Sequence, residues 1–214
     1  MSFALIEVEA IAKKAARGAG YSWGMAEEAA KATRWLCAHG LDGVGALSAL
    51  LGLVANSDLA DMTPKTLEGS WESKGKEICP LTAGTTLSDA VTFWAEEGKW
   101  IENVVVPVML LPFIAACARQ LGTTVTMNLN GAVIGTDGFT TGLIHGEQAG
   151  LFARADRVFV KTGGQLGTPL PKRFRATPSD AAWATVNYFA QKTHAPDTEE
   201  SRTLGAGAGL SDND

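Results

Sequence analysis

Apolar side chains recur every three to four residues through the first quarter of the chain and every second residue in a stretch beyond position 123, so two different periods divide it. Leu5, Val8, Ala12 and Ala15 share one face of a helix. Its acids, Glu7 and Glu9, come early and its bases, Lys13, Lys14 and Arg17, come late, in accord with the helix dipole. Gly18 is placed to end it. Ser22 can cap a second helix that carries Glu27 and Glu28 near its start, presents Met25, Ala29, Ala32 and Leu36 to one side, and stops at Gly40. Asp42 starts a third, along which Val44, Leu47, Leu51 and Val54 recur as far as Asn56 and Ser57. The small Ala and Gly residues of this pair predict a close helical hairpin.

Residues 58–87 contain Pro64, Gly69, Gly75, Pro80 and Gly84 without a dominant period and read as a connector. Ser88 and Asp89 open a short helix with Val91, Trp94 and Ala95, closed by Gly98. Pro112 stands in the first turn of another, which runs from Phe113 to Leu121 and ends at Gly122. From Thr123 the period changes: Val125, Met127 and Leu129 alternate with polar residues, and Asn130-Gly131, both tolerant of positive φ, predict a β-hairpin into Ala132, Val133 and Ile134. Residues 157–161, with Val158 and Val160, read as a further strand ended by Gly163 and Gly164. Thr177, Pro178 and Asp180 supply cap, proline and acid to a last helix bearing Ala182, Val186 and Phe189. The order predicts an α+β fold: an N-terminal helical hairpin region (1–57), a connector (58–87), and an α+β region (88–214) with a mostly antiparallel sheet and flanking helices, packed as one domain.

Composition supports a packed globular chain: 214 residues, 46% hydrophobic and 19% charged. The net charge of −5, with no long basic block, argues against nucleic acid as a partner. Cys37, Cys79 and Cys117 are odd in number, widely spaced and without a CxxC, which suits reduced thiols. The N-terminus lacks the basic start and apolar block of a signal peptide. The longest apolar run, residues 104–118, is interrupted by Pro107 and Pro112 and falls short of the roughly 20 residues of a membrane span. A cytoplasmic protein with no membrane partner is expected.

The densest polar stretch is residues 130–148, NGAVIGTDGFTTGLIHGEQ. Asp137, His145 and Glu147 are its candidates for proton handling, on glycine-rich loops that backbone or ligand can approach closely. The same glycines can equally build ordinary turns that leave His145 and Glu147 solvated. His145-Gly146-Glu147 matches the H-x-E of zinc deaminases, but no P-C-x-x-C follows, so there is no zinc signature. The C-terminal residues 202–214 are the most unusual. Arg202 can hold an anion, the amides of Gly205, Gly207 and Gly209 can wrap one, and Asp212 and Asp214 offer oxygens to a divalent cation. Too few residues follow Gly209 to form the helix of a dinucleotide loop, so there is no nicotinamide signature either. The alternative is a frayed terminus, against which Leu204 and Leu210 flank the glycines.

Six tryptophans, Trp23, Trp35, Trp71, Trp94, Trp100 and Trp183, serve either core and subunit packing or, if clustered, a planar or quaternary ammonium ligand. Arg34, Arg154, Arg157, Arg173, Arg175 and Arg202 can each pair with a substrate carboxylate. Cys37 lies two residues before His39, a helical spacing that turns the two side chains apart. Cys117 lies on an apolar helix as a structural thiol, and His194 precedes a turn at Ala195-Pro196-Asp197. No G-x-S-x-G supports a hydrolase.

The segment GAGYSWGMAEEAAKATRWL and the ending APDTEESRTLGAGAGLSDND resemble the DUF3726 family, a bacterial family named only as a domain of unknown function. The likeness spans the chain and is most specific at Ser201, Arg202 and residues 205–214. It implies that the tail is part of the family's design, and it brings no activity. Residues 26–50, AEEAAKATRWLCAHGLDGVGALSAL, are similar to the N-terminal helices of the malate/L-lactate dehydrogenase family. Where that family has Ser-His-Gly this chain reads Gly40-Leu41-Asp42-Gly43-Val44-Gly45, so the catalytic histidine does not carry over. The expectation is a small-molecule-binding protein, or an enzyme of small-metabolite catabolism, with His145, Glu147 and Asp137 as catalytic candidates. Arg202, Gly205, Gly207, Gly209, Asp212 and Asp214 would close over the ligand, with a divalent cation as the one candidate cofactor. The alternative is a non-catalytic assembly partner; a homodimer is compatible with both.

Overall fold

The structure, a computed structural model, describes residues 1–193. It begins with a short strand, β1 (Phe3–Ala4), and three helices: α1 (Leu5–Gly18), α2 (Trp23–Ala38) and α3 (Gly43–Val54). The caps are those expected: the Ser22 side chain accepts from the Met25 amide and the Asp42 carboxylate from the Gly45 amide. Alanines pack the α1–α2 seam. Ala12, Ala15 and Ala16 on one helix and Ala26, Ala29 and Ala30 on the other are all buried, so short side chains let the backbones approach. The last helix, α7 (Asp180–Gln191), lies against both α1 and α3 and completes a four-helix layer.

The second layer is a six-stranded sheet in which every pairing is antiparallel. Its strands are β2 (Lys99–Val104), β3 (Val125–Leu129), β4 (Ala132–Thr136), β5 (Thr141–His145), β6 (Ala155–Thr162) and β7 (Thr168–Pro169), in the order β2-β6-β3-β4-β5-β7. The β3–β4 turn is the one read from Asn130-Gly131, with φ of 49° and 75° at the two residues. Helix α6 (Leu111–Leu121) packs on β3 and β4, and α4 (Pro80–Asp89) links α6 to α2. The fold is thus α+β, with N-terminal helices and an antiparallel sheet.

The structure departs from the sequence reading between positions 58 and 98. The helix expected to open at Ser88 starts at Pro80; Ser88 and Asp89 are its last two residues, and a single turn, α5 (Val91–Trp94), follows. Residues 58–79 are tied to the sheet despite having no period. Trp71 donates its amide to Trp100 and accepts from Glu102, while Ile78 donates to Asn103 and accepts from Val105. Trp71, Ile78 and Cys79 are fully buried. These anchors are single residues separated by turns, so no periodicity marks them. Strands β2 and β5 form where the sequence pattern predicts none, and α7 is capped by Ser179 rather than Thr177.

A strap crosses from the sheet to the helices and positions the site. Leu170 donates its amide to Thr141 and Arg173 donates to Ala38 at the end of α2. Residues Arg175–Ala176 form β8, paired antiparallel with β1. Gly40, with φ of 71°, turns the chain out of α2; a Cβ there would meet Pro171 Cγ at 2.6 Å. Only glycine lets the strap lie this close.

Candidate functional site

The α2–α3 turn and the strap enclose a cleft of about 390 Å³ lined by Cys37, Gly40, Leu41, Asp42, Val44, Arg173, Arg175, Ala176, Thr177 and Pro178. Its helical wall is made by local sequence. Gly40 ends α2, Asp42 caps α3, and the first turn of α3 packs the Gly43 and Val44 amides near the Cys37 sulfur, the Gly43 amide itself donating to the Leu41 carbonyl. Burial pushes the Cys37 thiol up, more than these amides hold it down, so it remains a neutral thiol at ordinary pH. Cys37 is therefore wall and not nucleophile.

The strap wall is basic. Arg175 lines the cleft and donates to the Ser2 hydroxyl and backbone carbonyl. Arg173 and Arg175 form no ion pair with a carboxylate among the described residues. Asp42 is the acid on the opposite wall, with its carboxylate engaged at the Gly45 amide.

Beside the cleft, three groups remote in sequence converge. Lys172 Nζ lies 2.6 Å from His39 Nε2 and donates to the Phe139 carbonyl at 3.1 Å. His39 Nδ1 is 2.8 Å from the Trp35 carbonyl, and the imidazole stacks on the Trp35 ring at 3.7 Å between centroids. Asp137 heads the turn that carries Phe139. Its carboxylate accepts from the Phe139 and Thr140 amides, and these bonds, with the Lys172 charge, hold its pKa down.

Of the candidates read from sequence, Asp137 lies next to this cluster while His145 and Glu147 do not. His145 pairs with Val133 at the far end of the β4–β5 ladder, four residues from Asp137, or about 13 Å along a strand. It is exposed and borders a hollow of about 530 Å³ with Leu143, Ile144, Gly146, Thr168, Pro169 and Leu170; Glu147 is exposed as well. The structure does not bring these three together. Arg202, Gly205, Gly207, Gly209, Asp212 and Asp214 lie outside the described residues. Among the described residues no group of three or more His, Cys, Asp or Glu side chains could hold a metal ion. No helix there is long and apolar enough to cross a membrane.

Residues 3–79 match the model of a family described as a protein of unknown function, DUF3726. The matched stretch takes in α1, α2 and α3 and hence the helical wall of the cleft, including Cys37, His39 and Asp42. The strap and the tail lie beyond it. The DUF3726 match includes the GAGYSWGMAEEAAKATRWL segment that carried the resemblance. No curated protein matches the chain. The malate/L-lactate dehydrogenase likeness of residues 26–50 has no counterpart in these comparisons.

Sequence reasoning named Arg173 and Arg175 among six arginines but missed Lys172 and the role of His39. One signal was available. Lys172, Arg173 and Arg175 place three bases in four positions of an acidic chain, directly after Pro171. His39 was weighed only against Cys37, because its partner is 133 positions away.

The tryptophans do not form a cage. Trp71 and Trp94 are core, Trp183 stacks on Phe3, and Trp100 stacks on Phe159 beneath the Arg157 guanidinium.

Proposed function

We propose that the protein binds a small anionic metabolite, a carboxylate or phosphate ester, in the cleft between the α2–α3 turn and the strap. The observation that carries this reading is the pairing of two guanidiniums, Arg173 and Arg175, with the amino end of α3 around one cleft. Guanidiniums bind carboxylate and phosphate oxygens through forked, charge-assisted hydrogen bonds, and a helix start adds a positive dipole end. The reading keeps Asp137 at the border of the site, through Lys172, and leaves His145 and Glu147 out of it. The tail enters as a cover: Arg202 and the glycines would add donors to a bound anion.

The test is a thermal-shift series with inorganic phosphate, citrate and a panel of carboxylates on the full chain, the R173A/R175A variant and a chain lacking residues 205–214. A ligand at 100 times its Kd should stabilise the full chain by about 2.7 kcal/mol. The arginine variant should lose that shift, and the truncated chain should lose part of it. A shift that survives in R173A/R175A refutes the site.

A second reading, a non-catalytic assembly partner, is favoured by the exposure of Phe139 (76%), whose carbonyl Lys172 holds, and of Phe174 (87%), two residues after Lys172. It predicts a stable complex whose sedimentation changes in F139S/F174S and not in R173A/R175A.

A further inference from the structure

His39 and Lys172 meet in a geometry that exists in only one protonation state. The imidazole is 7% exposed, its face covered by Trp35. The Trp35 carbonyl at Nδ1 can only accept, so Nδ1 carries the ring proton and Nε2 presents its lone pair to the Lys172 ammonium at 2.6 Å. A second ring proton would have to sit on Nε2, pointing at a cation. The charged groups around the pair are Lys172 on the strap, Asp137 on the β4–β5 turn, which feels the Lys172 charge, and Arg173 and Asp42 in the adjoining cleft.

We propose that His39 and Lys172 form a protonation latch: the neutral imidazole pins the strap to the end of α2, and protonating it expels Lys172 and frees the strap beside Arg173. Burial, seconded by the Lys172 charge and opposed by the Trp35 carbonyl, already holds the imidazole below its ordinary pKa. Lys172 also holds the Phe139 carbonyl, so its departure loosens the strap from the β4–β5 turn as well. Because Arg173 follows Lys172 directly and its amide is bonded to Ala38, a freed strap carries a cleft guanidinium with it. Acidification then lowers the affinity of the cleft for anions, a consequence that rests on the anion-binding reading above.

The latch is tested without any ligand by hydrogen exchange at the Arg173 amide, which bonds to Ala38 O at 2.8 Å. The full chain should lose at least about tenfold in protection factor between about pH 8 and about pH 5. His39→Gln keeps an acceptor for Lys172 and should lose none. In Lys172→Met, the His39 ring should titrate at higher pH than in the unaltered chain, read from its ring C–H shifts. Unchanged Arg173 protection after the ring has titrated means that Lys172 swings away alone, and overturns the latch. So does a ring that stays neutral across the range, or a His39 midpoint that Lys172→Met does not move. Inorganic sulfate, whose charge is constant over this range, separates the two proposals. If sulfate binds at neither pH the anion reading fails, while Arg173 exchange still decides the latch.

Discussion

Replacing Gly40 by alanine separates what the α2–α3 turn needs from what the strap needs. Gly40 has φ of 71°, and a Cβ there would sit 2.6 Å from Pro171 Cγ and 3.1 Å from the Pro171 carbonyl oxygen. The left-handed conformation alone costs a non-glycine residue about 1–2 kcal/mol. The contact with Pro171 adds an overpacking cost of about 1–3 kcal/mol, because the nearer atom belongs to a ring and the strap is bonded on both sides of it. Gly122 supplies the control. It ends α6 with φ of 63° and has nothing within 4 Å of an added Cβ, so G122A carries the conformational cost without the clash. Urea denaturation should therefore place G40A about 2–5 kcal/mol below the unaltered chain and G122A about 1–2 kcal/mol below it. Adding Pro171→Ala to G40A should recover part of the difference, a coupling that a double-mutant cycle reads directly. Equal losses in G40A and G122A, or no coupling to Pro171, would show that the strap yields freely, and the cleft would then lose its fixed wall.

Lys76 sits exposed at φ of 70°, so K76G should relieve left-handed strain and raise stability by about 0.5–1 kcal/mol in the same assay; a loss of stability counts against that strain. Trp94 is buried and its indole N–H donates to the Leu87 carbonyl, so W94F loses a hydrogen bond and some volume and should cost about 2–3 kcal/mol, read as a lower urea midpoint. His39 has its folded pKa below its unfolded one, so the unfolded chain takes up the proton first and stability falls as pH drops below about 6.5. Stability against pH should decline there in the unaltered chain and stay flatter in H39Q; coincident profiles refute the assignment.

Much of the helical layer is legible in the sequence because each element there satisfies its own local rules. Ser22 and Asp42 are caps with a hydrogen bond to show for it, and Leu36, Leu47 and Leu51 recur at helical spacing and are buried. The Asn130-Gly131 hairpin is local in the same sense. Strand β5 is not: residues 141–145, TGLIH, bury Thr141 and Gly142 and expose Ile144 and His145, so polarity does not track burial. Thr141 is buried because its hydroxyl donates to Thr136 across the hairpin, a partner that periodicity cannot reveal. Lys99 is buried for a similar reason. Its ammonium donates to the Leu67 and Gly69 carbonyls over the Trp71 ring, and only the folded 66–71 loop makes that possible. The candidate site was legible in its parts and not in its assembly, since the cluster of bases after Pro171 marks the strap but not the His39 it meets 133 positions away.

The placement of the bases on that strap resolves an apparent conflict between the overall charge and an anionic ligand. A chain of net charge −5 repels anions at long range, but charges beyond about 8–10 Å are largely screened at physiological salt. Within that distance the strap sets the sign: Lys172, Arg173 and Arg175 stand against Asp42 and Asp137, and both carboxylates are occupied by backbone amides. Many other surface bases are spent in ion pairs, Lys13 with Glu27, Lys31 with Glu28, Arg34 with Glu9 and Arg157 with Glu102. Lys172 and Arg175 instead bond a hydroxyl, carbonyls and an imidazole, all neutral acceptors, and Arg173 has no ion pair among the described residues, so three strap bases outnumber the two carboxylates beside them.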